Sequence, residues 1–215
     1  MPTRGRRVWL FDLDNTLHNA TPHIFPHINR SMRQYIERHL AVDAQQADEI
    51  RRDYWQRYGA TLLGLIRHHR TDPHHFLWET HQFPNLQRML AFEKPVLQAL
   101  KRLPGRKILF SNAPQHYTEA ILALTGLDRH FAAVYTVERI KFQPKPLLAG
   151  FLHLLRAERL NPRQCIMVED SLDNLITAKK LGMKTVWVSA GSRQSPYVDV
   201  KVSTVRKLPE RCGRL

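Results

Sequence analysis

Short apolar runs alternate with segments of helical periodicity along most of the chain, and this alternation is compatible with few folds. Each apolar run has the length of a strand, and the segments between the runs repeat apolar residues at helical spacing. Because strands that alternate with helices pair in parallel, the pattern predicts an α/β fold with a Rossmann-like parallel sheet. The predicted strands cover residues 8–13, 107–110, 132–136, 165–168 and 185–188, with 198–202 at an edge.

Proline and glycine residues set the ends of the predicted helices. Pro95 stands at a first helical position, where its missing amide costs nothing, and Pro104-Gly105 stops that helix. Gly126 and Gly182 follow two further helices at the position that favours a left-handed residue. These helices are predicted over residues 95–103, 115–125, 146–157 and 172–181.

One long segment interrupts the alternation after the first strand. It contains no strand-like run, and its patterns are helical. Asp43 and Gln46 have the spacing of a capping box, Gly59 can close the helix that follows, and Asp72-Pro73 resembles another helix start. The predicted organisation is an α/β core formed by residues 1–17 and 95–215, interrupted by an all-helical insert over residues 18–94.

Composition excludes several classes of protein. The chain has 215 residues, of which 43% are hydrophobic and 24% are charged, as in globular domains. Its apolar runs are shorter than a membrane span, and the N-terminal sequence lacks the apolar region of a signal peptide. The two cysteines, Cys165 and Cys212, are too few for a disulfide scaffold, and we expect Cys165 to be a buried free thiol. A cytoplasmic location is therefore expected.

The net charge of +14 raises the question of a nucleic acid partner. Half of the excess, +7, lies in residues 1–7 and 201–215, and the helical insert carries only +2. A charge concentrated at the chain ends bears on solubility and on the approach of anionic substrates more than on a nucleic acid groove. The distribution therefore argues against a nucleic acid partner.

Polar side chains follow four of the predicted strands, either directly at the strand end or in the loop after it. Because the carboxyl ends of parallel strands share one edge of the sheet, ligands bind there and these side chains should converge. They include acids, a hydroxyl, an amide and a lysine, which are groups of complementary kinds. The residues are Asp12, Asp14, Ser111, Asn112, Lys145, Glu169 and Asp170.

These motifs, in this order, resemble those of the haloacid dehalogenase-like hydrolase superfamily. The first is Asp12-Leu13-Asp14-Asn15-Thr16, the second is Ser111 in ILFSNA, the third is Lys145 in QPKP, and the fourth is Glu169-Asp170 in IMVEDSLDN. The resemblance covers most of the chain and implies that the helical insert is a cap.

The resemblance implies Mg²⁺-dependent phosphoryl transfer through an aspartyl-phosphate. Asp12 would be the nucleophile, and Asp14, expected on the same side of the strand two residues on, would be the general acid and base. Ser111, Lys145 and the amide of Asn112 would hold the phosphoryl oxygens. The metal ligands would be Asp12, the carbonyl of Asp14 and Asp170, with direct ligation by Glu169 or Asn174 left open.

A finer resemblance points to the pyrimidine 5′-nucleotidase branch. The segment FDLDNTLHNA and the segment from Tyr58-Gly59 to Gly64-Leu65 are similar to sequences of that branch. Glu169 stands where the branch usually has an aspartate. The resemblance implies a nucleoside 5′-monophosphate such as UMP or CMP. Arg52, Trp55 and Tyr58 are candidate base-binding residues, because aromatic rings stack on bases. The alternative is that the aromatic residues pack this helix against its neighbour.

Other functions stay open at this point. A sugar-phosphate phosphatase or a phosphoglucomutase-like enzyme would use the same motifs, and a non-catalytic nucleic-acid-binding protein would use the basic charge. Nine of the 12 histidines lie in the insert. Their spacing matches no metal-ligand pattern, so the sequence favours a solvated cap surface over a transition-metal site.

Overall fold

Six parallel strands form one sheet in the computed structural model, which describes residues 7–211 and 213. The strand order is β3-β2-β1-β4-β5-β6, and every neighbouring pair is parallel. The predicted α/β fold is confirmed, and β6 is an edge strand as expected. Cys212 and the basic tail residues Arg4, Arg6 and Arg214 lie outside the described residues. The strands are β1 Val8–Phe11, β2 Arg106–Phe110, β3 Ala133–Tyr135, β4 Cys165–Glu169, β5 Lys184–Val188 and β6 Val200–Val202.

Ten helices accompany the sheet in the described part of the chain. Gly126 and Gly182 have the positive φ angles that their positions predicted, 70° and 90°. The helices are α1 Ile24–Leu40, α2 Ala44–Tyr58, α3 Thr61–His69, α4 Pro73–Thr80, α5 Leu86–Met89, α6 Pro95–Arg102, α7 Gln115–Thr125, α8 Leu148–Ala157, α9 Leu172–Lys180 and α10 Leu208–Arg211.

Alternate residues of β1 face opposite layers of the core. Trp9 and Phe11 belong to a cluster that includes side chains of α6 and α7, whereas Val8 and Leu10 belong to one that includes side chains of α8 and α9. All four strand residues are buried, as expected for a sheet covered on both faces. Because both faces of the sheet are covered, the carboxyl ends of its strands are where a ligand can bind.

The insert is helical, and its predicted caps are present. Asp43 and Gln46 form the capping box, Gly59 closes α2 with a left-handed conformation, and the Asp72 carboxylate accepts a bond from the His74 amide. Most of one hydrophobic cluster lies in the insert, including Ile36, Leu62, Leu65 and Phe76, and Val137 of the core joins it. No helix in the described residues is long and apolar enough to cross a membrane.

The two connections between insert and sheet are hydrogen-bonded to each other. The Asn19 amide donates to the Ala91 carbonyl at 2.9 Å, close to the junctions expected near residues 18 and 94. The bond ties the two crossings together where the insert leaves the core.

Candidate active site

The candidate site lies where the strand order reverses. From β1 the chain first builds the sheet towards β2 and β3, and it then returns to add β4 on the other side of β1. In such sheets the crevice at the reversal point is the preferred ligand site. Asp12 follows β1, Glu169 ends β4, and the Asp12 amide donates to the Val168 carbonyl at 3.0 Å.

Lys145 bridges two acids at this point. Its Nζ donates to Oδ1 of Asp12 and to Oε2 of Glu169, both at 2.7 Å, and the residue is only 1% exposed. Burial alone would lower the pKa of Lys145, but the carboxylates of Asp12 and Glu169 raise it above its ordinary value. The lysine therefore stays protonated and holds a positive charge beside Asp12.

Glu169 is buried and fully hydrogen-bonded. Its Oε1 accepts from the amides of Asp170 and Ser171 at 3.1 Å, and its Oε2 accepts from Lys145 and from Nδ2 of Asn174 at 3.0 Å. The side chain of Asn174 thus contacts Glu169, which the sequence did not predict. The arrangement holds Lys145 in place through Glu169.

Asn112 clamps the loop that carries the lysine. Its Nδ2 donates to the Lys145 carbonyl and its Oδ1 accepts from the Lys145 amide, each at 2.8 Å. Ser111 follows β2, is 1% exposed, and accepts a bond from the Ala113 amide at 3.1 Å through Oγ. The side chain of Asn112 therefore positions Lys145. The group of Asn112 that was predicted to bind substrate is its backbone amide, which these two bonds do not use.

Asp14 faces a different set of partners from Asp12. Strand β1 ends at Phe11, and the Leu13 carbonyl accepts turn bonds from the amides of Thr16 and Leu17. The predicted strand reached Leu13, whereas β1 ends at Phe11, so Asp12 and Asp14 lie just beyond the strand. That their side chains point to the same side stays a prediction.

Two residues that the sequence analysis missed hold Asp14. Tyr117 donates to Oδ1 of Asp14 at 2.6 Å, and Nε2 of His18 contacts the same oxygen at 2.9 Å. Burial and the charge of Asp14 raise the pKa of Tyr117, so its hydroxyl keeps its proton and remains a donor. The position of His18 four residues after Asp14 gave a weak local signal, whereas Tyr117, on α7, gave none.

Three carboxylates form a candidate cation site. The oxygens of Asp12, Glu169 and Asp170 lie within 4.8 Å of one another. Burial is the main cause that raises the pKa of Asp12 to about 7, and the charge of Glu169 adds to it. Burial likewise raises the pKa of Asp170 to about 8, with a further contribution from the charge of Asp12. To be ionised together near neutral pH, these acids need more positive charge than Lys145 supplies. Mg²⁺ would supply it, and Mg²⁺ prefers oxygen ligands such as these carboxylates.

The cap residues proposed for substrate binding lie on α2. Trp55 is 62% exposed, Arg52 is exposed, and the Tyr58 hydroxyl is 2.7 Å from Nε2 of His68. The packing alternative therefore fails for Trp55. A Cβ on Gly59 would lie 3.6 Å from Cδ of Pro146, so the end of α2 adjoins the lysine loop.

A second contact between cap and core lies beside Asp14. The His81 carbonyl is 3.2 Å from Nε2 of His116, and the rings of His81 and Tyr117 are 6.0 Å apart. Burial lowers the pKa of His81 to about 4, although the charge of Asp14 opposes this. A neutral histidine of the cap therefore lies beside the residue that holds Asp14.

The strand order and the acid–lysine cluster at its reversal point define an α/β enzyme with a helical cap. The chain belongs to the haloacid dehalogenase-like hydrolase family, whose model matches residues 7–182. This membership confirms the family resemblance of the sequence motifs.

Relatives of known name extend the comparison. The chain is 26% identical over 211 residues to a phosphoglycolate phosphatase of Mesorhizobium japonicum, covering 87% of this chain and 84% of that protein. It is 28% identical over 104 residues to hexitol phosphatase B of Escherichia coli K12, and this match covers 46% of each chain. Its fold resembles that of a HAD phosphatase from Thermococcus onnurineus, with a TM-score of 0.67 and 22% identity over 96% of this chain and 98% of that chain.

Proposed function

We propose that this protein is a Mg²⁺-dependent phosphatase that hydrolyses a small phosphate monoester through an aspartyl-phosphate on Asp12. The observation that carries the proposal is the 2.7 Å contact between Lys145 and Asp12 at the reversal point of the sheet. A buried cation next to a carboxylate lets that carboxylate approach an anionic phosphate. The phosphatase names of the relatives support the same reaction class.

The first step is the attack of an Asp12 oxygen on phosphorus, with departure of the substrate alkoxide. Lys145 neutralises charge on Asp12 and on the transferring group, and Ser111 and the Asn112 amide are proposed to hold phosphoryl oxygens. Bound Mg²⁺ would be held by Asp12, Asp170 and the Asp14 carbonyl, and it would supply charge neutralisation.

Asp14 is proposed to protonate the departing alkoxide and later to take a proton from the water that hydrolyses the aspartyl-phosphate. Tyr117 and His18 both contact Oδ1 of Asp14. They fix the orientation of the carboxyl group and leave Oδ2 for the proton transfer. Such general acid–base help contributes about 10²–10⁴-fold.

A pyrimidine nucleoside 5′-monophosphate is the proposed substrate. The exposed ring of Trp55, the neighbouring Arg52 and the position of Gly59 beside Pro146 support a base-binding surface on the cap. A sugar phosphate is the second candidate, supported by the similarity to hexitol phosphatase B. The expected location remains the cytoplasm.

Steady-state hydrolysis of UMP, CMP, a hexitol phosphate and phosphoglycolate, each with Mg²⁺ or with EDTA, tests the proposal. We expect Mg²⁺-dependent release of phosphate, with the highest kcat/KM for a pyrimidine nucleotide. The Asp12→Asn variant should lose essentially all activity while keeping its fold. Activity that survives this substitution would overturn the mechanism.

A further inference from the structure

We propose that His39, His75 and Glu79 form a second metal site, on the outer surface of the cap, for a transition ion such as Zn²⁺. Each of these residues offers one ligand atom, and the three atoms lie within 4.8 Å of one another. His39 lies in the last turn of α1, whereas His75 and Glu79 lie one turn apart on α4. The inference is independent of the proposed phosphatase reaction.

Tyr35 organises both imidazoles. The Tyr35 carbonyl can only accept, so Nδ1 of His39 donates to it at 2.9 Å, and this tautomer leaves Nε2 of His39 with a free lone pair. The rings of Tyr35 and His39 also stack, with their centroids 3.9 Å apart. Nδ1 of His75 lies 3.1 Å from the Tyr35 hydroxyl, which can donate or accept. Tyr35 is only 3% exposed, so both exposed histidines contact a partner that is itself buried.

This arrangement is the support that metal-binding histidines ordinarily have. A ligating histidine almost always donates its other ring N–H to a carbonyl, carboxylate or water, which fixes the ring and raises its basicity. Here one buried residue provides a carbonyl for His39 and a hydroxyl for His75. A solvated histidine surface would need no such common partner.

Glu79 completes the set through one of its oxygens. Its Oε1 lies 3.0 Å from Nε2 of His75, while its Oε2 accepts from Arg38 at 2.5 Å. A metal ion would replace the proton between His75 and Oε1, and that proton can move to Nδ1 of His75 and donate to the Tyr35 hydroxyl. Arg38 is 60% exposed and keeps its own bond to Oε2, which holds the carboxylate in place.

The donor types select the ion. Two imidazoles and one carboxylate suit Zn²⁺ and neighbouring transition ions, whereas Mg²⁺ favours oxygen ligands. Three protein ligands leave a position for water, and the exposure of His75 allows that water to exchange. The ion would link the end of α1 to α4 within the cap.

The test is a Zn²⁺ titration of the full chain by calorimetry, in excess Mg²⁺ so that the carboxylate site is occupied. Wild type should bind one Zn²⁺, and His39→Ala and His75→Ala should each bind at least about tenfold more weakly. Tyr35→Phe, which removes only the hydroxyl, should weaken binding by about tenfold. His23→Ala, at the opposite end of α1, is the matched histidine control and should bind as wild type does.

A second readout is the thermal midpoint with and without Zn²⁺, since a ligand bound to the folded state raises it. We expect a rise in wild type and in His23→Ala that is absent in His39→Ala and His75→Ala. Circular dichroism of each variant without metal checks that the fold is retained. Absence of Zn²⁺ binding, or binding that survives both histidine substitutions and is lost in Asp170→Asn, would overturn the proposal.

Discussion

The hydroxyl of Tyr117 lies 2.6 Å from Oδ1 of Asp14, although 103 positions separate the two residues in the chain. Tyr117 is buried on α7, and its ring also contacts Phe83 of the cap, with the centroids 5.2 Å apart. The same tyrosine therefore contacts both the proposed general acid and the cap that covers it. The orientation of the Asp14 carboxylate therefore depends on a side chain of α7.

Tyr117→Phe should slow the hydrolysis of alkyl phosphates more than that of p-nitrophenyl phosphate. An alkoxide needs a proton as it leaves, whereas p-nitrophenolate leaves without one, so a misplaced Asp14 slows the departure of the alkoxide more. The hydrolysis of the aspartyl-phosphate is common to both substrates, so the comparison uses kcat/KM, which reports the steps up to departure of the leaving group. We expect a loss of about tenfold or more in kcat/KM for UMP and a smaller loss for p-nitrophenyl phosphate. Equal losses on both substrates would assign Tyr117 a purely structural role.

Asp170→Asn and Glu169→Gln should separate metal binding from lysine positioning. All the oxygen sites of Glu169 are already used by Lys145, Asn174 and two backbone amides, whereas Asp170 is the carboxylate proposed to hold the ion. The Mg²⁺ concentration for half-maximal activity should rise by about tenfold or more in Asp170→Asn and much less in Glu169→Gln, which should mainly lower kcat. A larger Mg²⁺ effect in Glu169→Gln would make Glu169 the ligand.

Trp55→Ala should raise the KM for UMP and leave the hydrolysis of p-nitrophenyl phosphate unchanged. Trp55 is 62% exposed, so its removal should change the free energy of unfolding by less than about 0.5 kcal/mol. Lost stacking on a base is worth about 1–3 kcal/mol, which corresponds to a KM increase of about fivefold or more. Kinetics on both substrates measure this, with Trp78→Ala, another exposed tryptophan of the cap, as the control.

His81→Asn should make the cap less sensitive to acid. The pKa of His81 falls from its ordinary 6.5 to about 4 in the folded protein because of burial. Between these pH values the unfolded chain binds the proton and the folded chain does not, so stability falls as the pH falls. The free energy of unfolding of wild type, relative to that of His81→Asn, should therefore decrease by about 3 kcal/mol from pH 7 to pH 4.

Denaturant unfolding at several pH values measures this difference. Nδ1 of His81 contacts the Leu77 carbonyl at 3.1 Å. The asparagine side chain keeps a donor for this carbonyl but has no titratable ring. A constant difference between the two proteins across this range would show that folding does not shift the pKa of His81.

The sequence by itself determined the strands, the helical insert and the residues at the strand ends. Periodicity, glycine and proline act on the backbone within a few residues, so the capping box at Asp43 and the closing Gly126 could be predicted from neighbours alone. The acids of the first and fourth motifs could be placed at one edge of the sheet for the same reason. The local signal was less accurate at the end of the first strand, which was predicted to reach Leu13 but ends at Phe11.

Only the tertiary structure decided which side chains meet. Lys145 and Asp12 are 133 positions apart, and Tyr35 and His75 are 40 apart, so no local pattern could pair them. Their pKa shifts and hydrogen bonds depend on burial and on neighbours that the sheet and the cap bring together. The sequence therefore determined the candidate chemical groups, whereas packing decided which of them share a proton, a charge or a metal ion.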